Sequence, residues 1–105
     1  MLTQKQIDTL KRNWGDKAEA MACNAEVRIF DTDLPDWDMY LVAMDPEDDE
    51  TILAIIDSAE LQYIRGNYYD LEQIFAQGDG VTIDKAWRPR NAADLYRKLQ
   101  KRKGL

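Results

Sequence analysis

The chain has 105 residues, 45% of them hydrophobic and 32% charged, with a net charge of −6, one cysteine and no histidine. That length builds about one domain around one core, the apolar share argues against a disordered chain, and no apolar run nears the ~20 residues that cross a bilayer. A lone cysteine excludes an internal disulfide, a closed zinc site lacks ligands, and without histidine there is no Ser-His or Cys-His nucleophile pair.

Thr3-Gln4-Lys5-Gln6 has capping-box spacing, so a helix is predicted to start there, with Ile7, Leu10 and Trp14 as its apolar stripe and Gly15 stopping or kinking it. A second helical stretch is expected over 16–23. Across 25–30 polar and β-branched residues alternate, which predicts a half-buried first strand. Residues 31–35 turn. A second strand over 38–44 carries Met39, Leu41 and Ala43 on one face and Tyr40, Val42 and Met44 on the other, and with both faces apolar it should be central.

The charged segment 45–50 reads as a turn, because proline presets the backbone and aspartate bonds locally. The β-branched run 51–56 predicts a third strand, and 61–64 a fourth, ended by Gly66, in a meander. Tyr68, Leu71, Ile74 and Phe75 recur at helical spacing, and Gly78 and Gly80 are expected to close that short helix. A short strand at 81–83 follows, and Pro89 separates it from a last helix over 91–102 with Ala92, Leu95, Tyr96 and Leu99 as its stripe. The expected fold is therefore α+β: one domain, 1–105, with a small antiparallel meander of three to five strands. An N-terminal, a short and a C-terminal helix pack on it.

Charge is segregated along the chain. Residues 29–64 hold eleven acids and no Lys or Arg, whereas 85–105 carry a net +7. Acidic loops on a small domain can imitate the phosphate row of a duplex and occupy basic grooves, or they can simply keep strand edges soluble and unpaired. The basic tail divides the same way, between complementing a helix dipole and gripping phosphates. Asp31, Asp33, Asp36 and Asp38 offer oxygen ligands, but the calcium-loop pattern fails: its sixth and twelfth places hold Asp36 and Val42. The five glycines form no phosphate-binding fingerprint. Trp37 and Trp87 are either partner anchors or core-edge aromatics.

The run Ala25-Glu26-Val27-Arg28-Ile29-Phe30-Asp31, Trp37, and Met44-Asp45-Pro46-Glu47-Asp48, with Leu2-Thr3, Tyr69-Asp70-Leu71, Val81-Thr82-Ile83-Asp84 and Trp87-Arg88-Pro89, resembles the plasmid- and phage-borne family catalogued as domain of unknown function 2958. The chain departs from that pattern in shorter inter-strand segments and a longer basic C-terminal helix. The resemblance implies a mobile-element setting and supplies no activity, cofactor or catalytic residue.

The expectation is a non-catalytic interaction protein in a bacterial host cytoplasm, with no cofactor, no metal and no membrane segment. It would inhibit a host nucleic-acid-binding defence protein, of anti-CRISPR or anti-restriction type, through a DNA-mimicking surface. Asp36, Trp37, Asp38, Asp45, Glu47, Asp48, Asp49 and Glu50 would bind the partner. A homodimer is compatible with this reading, and the overall acidity disfavours direct nucleic-acid binding. One alternative is a nucleic-acid-binding accessory protein using Arg88, Arg90, Arg97, Lys98, Lys101, Arg102 and Lys103. Another is a small carboxylate-dependent hydrolase, which needs an acid-lined cleft.

Overall fold

The computed structural model describes residues 2–48, 50–76 and 80–104, with 74–76 described by backbone alone. Helix α1 (Gln4–Arg12) starts at the expected capping box: the Thr3 amide donates to the Gln6 side chain at 2.8 Å, and the Gln6 amide to the Thr3 hydroxyl at 3.1 Å. It stops three residues before Gly15, so Trp14 lies beyond the helix and packs on the opposite side of the sheet from Ile7 and Leu10. The second stretch shortens to α2 (Lys17–Met21), because Asp16 caps it with its own reciprocal Asp16–Glu19 box.

Two strands replace the single one expected over 25–30. They are β1 (Asn24–Ala25) and β2 (Val27–Asp31). Then come β3 (Leu34–Met44), β4 (Thr51–Asp57), β5 (Leu61–Asn67), α3 (Tyr68–Ala76), β6 (Val81–Ile83), β7 (Arg90–Asn91) and α4 (Ala92–Arg102). The meander β2–β5 is present, and α3 returns the chain so that β6 joins the far edge of an antiparallel sheet of order β5-β4-β3-β2-β6. A two-stranded β1–β7 pair, unforeseen in the sequence, fastens the start of α4 beside it. Gly66 does not end β5. It pairs with Ile52 inside the strand, and a Cβ there would meet side chains only at 3.6 Å or more, so the position tolerates rather than needs glycine.

Both faces of the sheet are covered. Leu2 and Leu10, with Tyr68 and Leu71 of α3, pack on Val27, Ile29, Met39, Leu41, Met44, Ile52 and Ala54. On the other face Ala20, Ala92, Leu95 and Leu99 pack on Tyr40, Val42, Ala43, Leu53 and Ile55. This assignment corrects the strict alternation expected for β3. Leu41 faces Ala54 while Ala43 faces Leu53, so Val42 is an extra residue in a bulge. The bulge moves Ala43 to the side of Tyr40 and Val42, and Met44 to the side of Met39 and Leu41.

Of the two glycines expected to close α3, Gly78 lies outside the described residues. Gly80 has φ +79°, and a Cβ there would come within 2.7 Å of the Asp31 and Asp33 carboxylate oxygens. The left-handed conformation favours glycine at that place, and a larger residue would also have to displace those side chains. No helix among the described residues is long and apolar enough to cross a membrane.

Candidate functional site: acidic turns and an open groove

The acid-rich block is continuous in sequence and divided in space. Strand β3 carries Asp36 near one end of the sheet and delivers the chain to Asp45 just past the other, roughly 30 Å away at ~3.3 Å per residue. Because β4 returns antiparallel, Asp57 and Glu60 rejoin Asp31, Asp33, Asp36 and Asp38 at the first end, whereas Asp45, Glu47, Asp48 and Glu50 occupy the other. The described members of the eight expected partner-binding residues therefore form two groups. Asp49 lies outside the described residues.

At the first end two of the acids, Asp38 and Asp57, have cations from within the fold. Arg28 on β2 donates to Asp38 at 2.9 Å and to Asp84 at 2.8 Å, spanning three stretches of chain. Its hydrogen bond, above all, holds the Asp84 carboxyl below the usual carboxylate range. Asp57 is buried and pairs with Lys103 at 2.9 Å, while the same ammonium donates to the Ser58 carbonyl. A cleft of about 410 Å³ lies between these elements, lined by Asp36, Asp38 and Asp57 together with Arg102 and Lys103. Trp37 is half-buried against the first core cluster.

The β3–β4 turn is different. The Asp45 carboxylate accepts from the Glu47 amide at 2.9 Å, and Asp48 accepts from the Thr51 hydroxyl at 2.6 Å, the Thr51 amide at 3.0 Å and the Glu50 amide at 2.9 Å. The Thr51 hydroxyl contributes most to lowering the Asp48 carboxyl to about 2, with the two amides adding to it. Glu47 and Glu50 are exposed, and their carboxylates make no hydrogen bond or ion pair among the described residues. Two aspartates thus build the turn, and two glutamates project from it.

The basic residues are also dispersed. Lys103 is committed to Asp57, Arg97 pairs with Asp94, and Arg90 lies over the Trp87 ring at 4.8 Å. Lys98, Lys101 and Arg102 are exposed on α4, Arg102 beside the acid-lined cleft, and Arg88 is exposed in the loop before the helix. Trp87 is a core-edge aromatic: its indole donates to the Ala25 carbonyl at 3.0 Å and lies tilted against the Tyr40 ring, with centroids 5.2 Å apart. Cys23 donates weakly to the Glu19 carbonyl at 3.5 Å. Among the described residues no three Cys, Asp or Glu side chains are grouped to hold a metal ion.

A second concavity, larger than the acid-lined cleft, was not expected. A groove of about 790 Å³ runs between the start of α1, α3 and β6, with Val27, Val81 and Ile83 among its apolar lining and Glu26, Glu72 and Trp87 along it. Glu26 and Glu72 lie 46 residues apart in the chain, and only the return of α3 across the sheet brings them to one groove. No family model matches the chain, and neither a curated protein nor a solved structure matches it.

Proposed function

We propose that the chain is a non-catalytic interaction protein that occupies a basic, nucleic-acid-binding surface of a host protein through its β3–β4 turn. The observation that carries this reading is the anchoring of Asp48 by three hydrogen bonds, which keeps a charged carboxylate fixed beside the unpaired Glu47 and Glu50. A phosphate mimic needs negative charges that stay ionised and do not reorganise on contact. The opposite end of the sheet supports it less well, since Asp38 and Asp57 already have internal cations. The inhibitory role draws on the acid-rich block of residues 29–64 together with the family resemblance, which also supplies the mobile-element setting.

The test is capture from a bacterial lysate with tagged protein, elution in rising salt, and competition of each captured protein with duplex DNA. The expected result is a basic DNA-binding protein that salt and duplex both release and that a Glu47→Lys/Glu50→Lys variant no longer retains. Capture unaffected by that double reversal overturns the reading. A second reading draws on Lys98 and Lys101, both exposed on α4. It predicts retardation of duplex DNA by the protein itself at low salt, which the first does not.

A further inference from the structure

We infer that the groove between α1, α3 and β6 binds a linear aliphatic polyamine. Its volume of about 790 Å³ is within the ~300–1,000 Å³ of small-molecule sites, and its lining is mostly polar and charged around a short apolar strip, which suits a charged ligand with an alkyl chain. Val81 and Ile83, both partly exposed, supply surface for methylene groups.

The charges along the groove select the ligand. Glu26 and Glu72 are half-buried, and neither carboxylate has a hydrogen bond or an ion pair among the described residues. Partly desolvated carboxylates without a cation gain most from an ammonium group brought to them. Asp84 is already held by Arg28, and Lys85 is exposed at the rim. The start of α1, whose dipole would favour an anion, is closed by the Thr3–Gln6 capping box. Trp87 carries Arg90 on its ring, so a cation has less to gain there than at the two glutamates. An alkyl chain with ammonium groups at both ends satisfies the strip and both carboxylates at once.

The experiment is isothermal titration of the full chain with 1,5-diaminopentane and with spermidine, together with amide chemical-shift mapping on the wild-type protein. Saturable one-to-one binding is expected, with shifts at residues 26–27, 72–73 and 81–85. Glu26→Gln or Glu72→Gln should each weaken it about tenfold, the loss of one charged hydrogen bond. Glu47→Gln, at a residue that does not line the groove, should leave it unchanged. A titration that does not saturate, shifts centred on 45–50, or equal weakening by Glu47→Gln overturns the site and reduces the effect to general attraction of cations by an acidic protein. So does binding of a lysine-bearing peptide where the diamines fail. The mapping needs no variant, so misfolding of either glutamine variant leaves the test intact. Its outcome is independent of whether the β3–β4 turn binds a partner.

Discussion

The Asn13 side-chain amide donates to the carbonyl of Val42 at 3.0 Å, joining the residue that ends α1 to the extra residue of the β3 bulge. A bulge interrupts the ladder between two strands and needs polar partners from elsewhere. Here the partner comes from 29 residues earlier in the chain. The contact fixes where α1 stops against the sheet and where β3 changes phase, so Met44 and Ala43 reach opposite cores.

Asn13→Ala is expected to cost about 1 to 2 kcal/mol, the range for losing a partly buried hydrogen bond. Asn13→Asp should cost more, since it sets an acceptor against an acceptor at nearly unchanged volume. Urea unfolding measures both, and an aspartate variant as stable as wild type would show that the bulge does not depend on the donor.

Lys103→Ala should destabilise the protein by about 2 kcal/mol, less than the ~3–5 kcal/mol for breaking a fully buried pair because the lysine is 25% exposed. Its removal strands the Asp57 carboxylate, which is only 12% exposed. Combining it with Asp57→Asn should recover part of the loss, so the two changes are not additive. Thermal melts of the three variants decide this. Equal losses for Lys103→Ala and Lys101→Ala would return Lys103 to the set of cations available for phosphate contacts.

What the sequence revealed was local. The Thr3–Gln6 box, the Asp45 and Asp48 turn and the α4 stripe depend on residues two to four apart, and each is present in the fold. The bulge was hidden because residues 39–44 are all apolar, so the alternation that would reveal a change of phase is missing. The division of the acids was hidden too, since it follows from the antiparallel return of β4 and not from composition. Arg28 gave no signal, as its partners lie 10 and 56 residues away. The groove depends on α3 crossing the sheet to place β6, a connection that neither hydrophobic spacing nor turn residues announce.

Arg28→Ala should loosen β6 before it unfolds the domain. The guanidinium ties Asp38 on β3 to Asp84 just after β6, and the Asp84 amide donates to the Arg28 carbonyl at 2.9 Å. Without it two carboxylates face each other and only the short β2–β6 ladder holds the edge. Hydrogen exchange should quicken at residues 81–84 with little change in β4, whereas a uniform increase would mean that Arg28 supports the whole fold.

Acid should weaken the domain partly through Asp48. Its folded value of about 2 lies below its ordinary value of 3.8, so the native state binds fewer protons than the unfolded chain between those limits. The stability from this group is complete above pH ~4, declines as pH falls, and is gone below pH ~2. Asp84, lowered in the same direction by Arg28, adds to the slope. Asp48→Asn keeps an acceptor for the Glu50 and Thr51 amides but removes the titration, so the variant should be less stable than wild type at pH 6, and the gap should narrow as pH falls from 4 to 2. Urea midpoints across that range test it, and a gap that stays constant would remove Asp48 from the acid response and with it the argument that its charge is fixed by the turn.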